Sequence, residues 1–485
     1  MDLGWAVLQV FNDPIHGHIE MDPLLVKFID TLQFQRLRNI KQLSGVYYVY
    51  PGASHNRFEH SIGVCHLAGQ LVSLLSDRQP DLQITQRDIL CVKIAGLCHD
   101  LGHGPFSHLF DGKFIPEVLP GTKWKHEEAS VQMFDHMVNV NSLRPVMESH
   151  GLVCAEDLLF IKELIAGPQH QEQEAWPYKG RTEEKSFLYE IVANKRTGID
   201  VDKWDYFARD CYHLGIQNNF DYQRSLKFAR VCEVNGKMLI CTRDKEVFNL
   251  YNMFHTRYSL HRMAYQHRVT NAIGNMITDA LVKANPHINI KGSNDRLFTI
   301  SSAIEDMEAY TNLTDSIFEQ ILHSTQPELD EARKILHNIL CRKLYKYVGH
   351  TYTKKIREDP PNDPLELDDR ELARIVAKNV AEACPENPNV ILSADNFVVN
   401  VVCMDYGMKK KNPIDNMHFY SKDDPTRAFK INQSEVSQML PAVFSEKLIQ
   451  VFCKKTDAES QNVAKEHFQK WDEKPQTRDL LRRLQ

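Results

Sequence analysis

Apolar residues recur along this chain at mostly helical intervals. Between Arg57 and Asp77, His60, Val64, Leu67, Leu71 and Leu74 fall at i, i+4, i+7, i+11 and i+14, which predicts a helix with His60 on its inward stripe. A second helix is predicted to open with Thr85-Gln86-Arg87-Asp88, a variant capping box. It continues through Leu90, Ile94, Leu97 and Leu101 to a stop at Gly102, setting His99 and His103 one turn apart on one face. A third helix carries Asp202, Tyr206 and Asp210 at i, i+4 and i+8.

Helical periodicity persists to about residue 348, with one interruption. Arg230–Val234 and Lys237–Thr242 flank Asn235-Gly236, the signal for a type I′ hairpin turn that sets Cys232 opposite Leu239 and Cys241 diagonal to it. That geometry is poor for a disulfide, so a redox switch is not expected. A long amphipathic helix follows, from near Lys245 to Lys283. The stretch Thr351–Pro364, with Pro360-Pro361, has the composition of a linker or mobile loop. Asn396–Met404 is a β-branched run, and His418–Tyr420 and Ala428–Ile431 suggest further strands. The final thirty residues are polar with helical tendency, and no internal repeat is evident. The expected organisation is mainly α: a helical domain over 1–348, a linker or mobile segment over 349–389, and a smaller α+β lobe over 390–485.

Composition narrows the class. A chain of 485 residues is too long for one small core, and 42% hydrophobic content with a mean hydropathy of −0.41 describes a soluble globular protein. No window is apolar enough to span a membrane, and the basic and apolar regions of a signal peptide are lacking. Eleven cysteines without a Cys-x-x-Cys pair fit reduced thiols in an intracellular setting. Net charge is −6, so no global basic field advertises nucleic acid. The basic runs Lys354-Lys355-Ile356-Arg357 and Lys409-Lys410-Lys411 read first as solvated surface, with anion binding the lesser alternative.

Chemistry concentrates in Cys98-His99-Asp100-Leu101-Gly102-His103-Gly104. With His60 upstream and Asp202 downstream, two imidazoles and two carboxylates suit a divalent transition metal with open positions for water and phosphate oxygens. Taken singly, each His could be a satisfied core residue and each Asp a cap or ion-pair partner. Four inward ionisable groups on three helices would be costly to bury without a cation or tight pairing. No P-loop or Rossmann glycine fingerprint is present, so phosphates would fall to the metal and to Arg57, Lys203 and Arg257. Arg257, His261 and Tyr265 share a face at i, i+4 and i+8, where Tyr265 suits either a sugar or base contact or the core.

The His60, His99-Asp100 and Asp202 pattern resembles the HD phosphohydrolase superfamily. Longer strings, Phe11-Asn12-Asp13-Pro14-Ile15-His16-Gly17-His18, Phe34-Gln35-Arg36-Leu37-Arg38, His55-Asn56-Arg57-Phe58-Glu59-His60 and Gly102-His103-Gly104-Pro105-Phe106-Ser107-His108, resemble its deoxynucleoside triphosphate triphosphohydrolase branch. Asp200 through Asp210 and Asn252 through Arg257 are similar to the vertebrate members that combine a SAM and an HD domain. The likeness spans nearly the whole chain. No SAM-like module fits before Phe11, so the chain resembles the catalytic core without that module or the family's nuclear import signal.

The resemblance implies an HD helical fold that hydrolyses dNTPs to deoxynucleoside and inorganic triphosphate, limiting dNTP pools in the nucleus, or otherwise the cytosol, and so restricting viral reverse transcription. It implies that His60, His99, Asp100 and Asp202 hold Fe, Zn or Mn, with Mg2+ on the nucleotide phosphates. His126 would be the acid or base in a relay with Asp111, and His108 would reach the leaving 5′-oxygen. Arg57, His103, Lys203, Tyr206 and Arg257 would hold phosphates. Gln42, Leu43, Asp210, Tyr265 and Gln266 would surround the sugar and reject a 2′-hydroxyl by clash.

The family also implies a homotetramer with two regulatory nucleotide sites per subunit. Asp30, Gln35 and Arg38, with Arg357 and Lys411, match a first site for GTP or dGTP. Val10, Asn12, Arg224 and Arg243, with Lys245, Asn249, His267 and Arg268, match a second site for dNTPs. Gln9, Tyr212 and Met263 depart from the family's Lys, His and Arg, and Gln9 removes one phosphate contact. Two other readings stand beside this one: another HD nucleotidase or phosphodiesterase, sharing only the metal ligands, and a scaffold that binds single-stranded nucleic acid through its basic residues.

Overall fold

The first predicted helix forms over Arg57–Arg78 in a computed structural model that describes residues 9–169, 176–352, 368–383, 390–408, 410–437, 439–441 and 443–473. Asn56 closes a capping box at its start, with Glu59 accepting the Asn56 N–H at 2.7 Å. Thr85 and Asp88 form a second capping box on the helix Gln86–Cys98. That helix ends sooner than its apolar spacing suggests. Gly102 and Gly104-Pro105 cannot sustain it, and the chain tightens into turns with Leu101 N bonded to Cys98 O at 3.3 Å and His103 N to Asp100 O at 3.2 Å. His99 is therefore the C-cap, and His103 lies beyond the helix rather than on its face. The third helix, Val201–Leu214, is capped by Asp200 and stops at Gly215, whose φ of 66° suits a residue without Cβ.

The long helix expected from Lys245 to Lys283 is broken. Val247–Leu260 gives way to a π-helical turn at His261–Tyr265 and then to Arg268–Ala284. The wider turn shifts the register, so Arg257, His261 and Tyr265 do not continue one α-helical face.

Packing gathers the described residues into two units, each drawn from several stretches of chain. One comprises residues up to 257, with 284–320 and 411–440. It holds the three capped helices and an N-terminal hairpin, Gln9–Asp13 paired with Gly17–Met21, which the sequence pattern did not suggest. The Asn-Gly hairpin forms over Ala229–Val234 and Lys237–Arg243 with Cys232 opposite Leu239, and Cys232 and Cys241 are unbridged buried thiols. Phe419–Tyr420 and Ala428–Phe429, expected in a C-terminal lobe, extend this same sheet. The exposed edge of Lys237–Arg243 offers backbone groups that the short strand completes, Thr242 N reaching His418 O at 3.2 Å.

The other unit comprises 258–283, 321–410 and 441–485. Its antiparallel sheet sets Ser445–Cys453 between Lys346–Tyr352 and Phe397–Asp405. The helices Asp369–Glu382 and Ala458–Glu473 cover it with a core of Leu372, Val376, Val380, Ile449, Val451, Phe468 and Trp471. The expected linker is thus partly regular, ending one strand and supplying one core helix. Leu372, Val376 and Val380 hold the helical period that the neighbouring prolines obscured. Arg357, the rest of the run from Lys354, the prolines Pro360, Pro361 and Pro364, and Lys409 lie outside the described residues. No described helix is long and apolar enough to cross a membrane.

Candidate metal centre

Three backbone elements bring four ionisable side chains to one point. His60 comes from the first turn of its helix, His99 and Asp100 from the end of the second, and Asp202 from the first turn of the third. Asp202 Oδ1 lies 3.2 Å from His60 Nε2 and 3.5 Å from His99 Nε2. Asp100 Oδ2 lies 3.4 Å from His60 Nε2, and its Oδ1 3.4 Å from His99 Nε2. Both Nε2 atoms are buried and have no hydrogen-bond partner among the described residues. A buried imidazole nitrogen left unpaired is costly, and two of them aimed at the same pair of carboxylates fit a divalent cation.

The opposite nitrogens support this reading. His60 Nδ1 donates to Asp205 Oδ2 at 2.7 Å and His99 Nδ1 to Gly96 O at 2.8 Å, which leaves each Nε2 with its lone pair for a metal. His60 is fully enclosed while the Asp202 side chain is 30% exposed, so solvent reaches the cluster on the Asp202 side.

A second cluster, His103, His108, Asp111 and His126, adjoins the first. His126 begins the helix His126–Val140, and Gly102 packs against it so closely that a Cβ would strike the His126 carbonyl. Its Nδ1 donates to Asp111 Oδ2 at 2.6 Å, and its ring stacks on His103 with centroids 4.0 Å apart. Burial opposes charge on His126, but the Asp111 carboxylate outweighs it and holds the imidazole above its ordinary range. Burial and the Arg57 and His126 charges push His103 well below. Stacked imidazoles driven apart in this way give one ring to carry a proton and one to stay neutral. His108 is 70% exposed, its Nδ1 3.6 Å from Asp111.

The loop between the clusters is rigidly held. The buried Arg36 guanidinium donates to Leu101 O and His103 O, each at 3.0 Å, and to Leu313 O at 2.9 Å. Tyr310 donates to Gly102 O at 2.8 Å. Asp315 accepts from Phe106 N at 2.6 Å and Lys41 N at 2.9 Å. Phe106 and Ser107 sit at φ 60° and 54°, a strained pair that these bonds sustain.

Of the expected phosphate-holding cations, Arg57 and Lys203 are tied to carboxylates and Arg257 approaches a hydroxyl. Arg57 Nη1 meets Asp100 Oδ2 at 2.6 Å and its Nε meets Ser107 Oγ at 2.9 Å. Lys203 Nζ meets both Asp200 oxygens at 3.1 Å, and Arg257 Nη1 approaches Tyr206 Oη at 3.4 Å. Among the sugar residues, Gln42 is buried with an unpartnered Oε1 beside the half-buried Leu43, and Asp210 is buried against His55 Nε2 at 2.7 Å. Tyr265 and Gln266 belong to the other unit, where Gln266 Oε1 accepts from Asn271 at 3.2 Å.

Of the first regulatory set, Gln35 Oε1 accepts from Arg38 Nε at 2.7 Å, and Arg38 lies 3.5 Å above the Phe58 ring. Asp30 is exposed and Thr31, not Asp30, caps the next helix. Lys411 is also exposed. Of the second set, Val10 and Asn12 are exposed on the N-terminal hairpin, and Arg224 pairs with the buried Glu246. Arg243 reaches Asp244 at 3.0 Å, Lys245 lies 4.0 Å from the Phe228 ring, and Asn249 holds Asp221 O at 2.9 Å. His267 and Arg268 lie in the other unit, Arg268 over Tyr347. Gln9, Tyr212 and Met263 are exposed. Sequence reasoning missed Asp205, Arg209 and His16, which support His60. The only signal was the spacing of Asp205 and Arg209 at i, i+4.

Comparison with known proteins agrees with this geometry. A family model described as "HD domain" matches residues 57–209. The deoxynucleoside triphosphate triphosphohydrolase SAMHD1 of Danio rerio is 64% identical over 482 residues, 98% of this chain and 76% of that protein. The Homo sapiens protein of the same name is 58% identical over 482 residues, with 98% and 76% covered. A homologue in Dictyostelium discoideum is 40% identical over 450 residues, 92% of this chain and 77% of that one. With the HD ligands converging as they do and identity this high over almost its whole length, the chain belongs to the SAMHD1 family of deoxynucleoside triphosphate triphosphohydrolases.

Proposed function

We infer that the protein hydrolyses deoxynucleoside triphosphates to deoxynucleoside and inorganic triphosphate, using a divalent metal held by His60, His99, Asp100 and Asp202. The observation that carries this reading is the pair of buried, unpartnered Nε2 atoms of His60 and His99 facing Asp100 and Asp202, next to the His126–Asp111 pair. When bound, the metal supplies Lewis-acid polarisation and an acidified water. Imidazole-rich coordination suits Fe, Zn or Mn, while Mg2+ suits the substrate's phosphates. His126, protonated through Asp111, is the proton donor to the leaving 5′-oxygen, and the exposed His108 approaches that oxygen from solvent. Arg57, His103, Lys203, Tyr206 and Arg257 hold the triphosphate, Arg57 and Lys203 exchanging their carboxylate partners for phosphate oxygens. The buried, unpaired Gln42 Oε1 supports recognition of the deoxynucleoside on the side of Gln42, Leu43 and Asp210, and Tyr265 and Gln266 are assigned to it by the family resemblance alone.

Product analysis with dGTP and added metal tests this directly. Equimolar deoxyguanosine and triphosphate are expected. Monophosphate with pyrophosphate would place the chain among other HD phosphohydrolases. No turnover, together with nucleic-acid binding that weakens steeply with salt, would favour a scaffold.

Activation by GTP or dGTP and assembly into a tetramer belong to the same proposal. Asp30, Gln35 and Arg38, with Lys411 and Arg357, form the first activator site, where a carboxylate accepts from guanine N1–H and N2. The exposed Asp30, relieved of capping by Thr31, and the Gln35–Arg38 bond support it. The second site is assigned by the family resemblance to Val10, Asn12, Arg224, Arg243, Lys245 and Asn249 of one unit, and to His267 and Arg268 of the other. Asp30→Ala should stay folded and metal-loaded, yet GTP should neither assemble it in sedimentation nor switch on dATP hydrolysis. Full GTP-dependent activity of that variant would remove Asp30 from regulation.

A further inference from the structure

We propose that Asp205, clamped by Arg209 and His16, is a positioning residue that fixes the tautomer and ring orientation of His60 and so decides which nitrogen meets the metal. This rests on the metal reading above and deepens it. Asp205 is fully buried, and its two oxygens accept four bonds. Oδ1 takes His16 Nε2 at 2.6 Å and Arg209 Nη2 at 2.9 Å, and Oδ2 takes His60 Nδ1 at 2.7 Å and Arg209 Nε at 2.9 Å. An ionised carboxylate only accepts. The His60 proton is therefore fixed on Nδ1, and Nε2 turns its lone pair toward Asp100 and Asp202.

The clamp is itself anchored. Arg209 Nη1 bonds Asp13 Oδ2 at 2.9 Å. The other oxygen of Asp13 accepts from Ile15 N and His16 N at 2.8 and 2.9 Å, closing the turn that presents His16. Tyr222 Oη meets His16 Nδ1 at 3.1 Å. Gly63, one turn after His60, leaves room for this packing, since a Cβ there would lie within 2.7 Å of Asp205 Cγ. Of this network, it is the Asp205 carboxylate that meets the His60 ring, through Oδ2 at 2.7 Å from Nδ1. That charge makes Nε2 a stronger donor to a cation, which a merely structural i, i+4 ion pair would not do.

The test uses the whole chain, metal-free, with Co2+ as probe. Wild type should bind Co2+ stoichiometrically, and Asp205→Asn should bind it roughly 10–100-fold more weakly, as outer-partner substitutions do. The visible absorption of the bound Co2+ should change with it. In 15N-histidine-labelled wild type loaded with diamagnetic Zn2+, with His60 assigned by its loss in His60→Gln, the ring should carry its only proton on Nδ1. Weak Co2+ binding by wild type would count against the metal reading itself. Stoichiometric binding with an unchanged affinity and spectrum in Asp205→Asn would overturn the inference. A His60 proton on Nε2 in wild type would also overturn it, even if Asp205→Asn failed to fold.

Discussion

With His99 and Asp100 both replaced by alanine, the protein should lose hydrolysis and its bound metal together. Two of four donors disappear, and His60 and Asp202 alone cannot hold a transition ion against water and buffer. The same change strands Arg57, whose Nη1 now meets Asp100 at 2.6 Å with both side chains only 6% exposed. Removing one partner of a buried pair costs about 3–5 kcal/mol, so the melting temperature should fall as well. Metal content by mass spectrometry must therefore be read on protein shown to be folded. If the double variant does not fold, Asp202→Ala removes a more exposed ligand at less structural cost. Stoichiometric metal with wild-type turnover in either folded variant would sink the HD assignment.

His126→Ala should separate chemistry from binding. Metal and substrate should still bind, because His126 donates to Asp111 and not to the metal ligands. The turnover number should drop by roughly 10²–10⁴-fold, the usual worth of general acid–base help. The Asp111 carboxylate holds His126 above its ordinary range, which favours the protonated ring. As the acid, it loses its proton when pH rises through that elevated value, and wild-type turnover should fall along that alkaline limb. Asp111→Asn removes the charge that raises His126, so the limb should move to lower pH. A His126→Ala enzyme as fast as wild type would exclude it as the donor and shift attention to His108.

What the sequence disclosed was local and periodic. The spacing from His60 to Leu74 located the first helix, and Asn235-Gly236 fixed a hairpin register down to Cys232 facing Leu239. The candidate ligands stood out by residue chemistry, His99-Asp100 as a dipeptide and Asp202 by its i, i+4, i+8 spacing with Tyr206 and Asp210. What stayed hidden depended on distance or on small backbone irregularities. Nothing in the apolar period announced that the helix stops at Cys98, or that a π-turn interrupts 261–265. The pairing of Phe419–Tyr420 with Lys237–Arg243 joins segments nearly a domain apart in sequence. Asp205 and His16, 189 positions apart, met only in the fold.

The bonds from Asp315 to Lys41 and Phe106 span 274 and 209 positions, and those from Arg36 to Leu313 span 277. During synthesis, His60, His99, Asp100, His126 and Asp202 are all made well before residues 313 to 315 exist. Until those arrive, the left-handed turn at Phe106 and Ser107 has lost its downstream anchors. Contacts of such long range close late. The loop from Leu101 to Ser107 therefore takes its final shape near the end of this unit's folding, so a nascent chain released short of residue 315 carries every candidate ligand but not the anchors that shape the loop beside them.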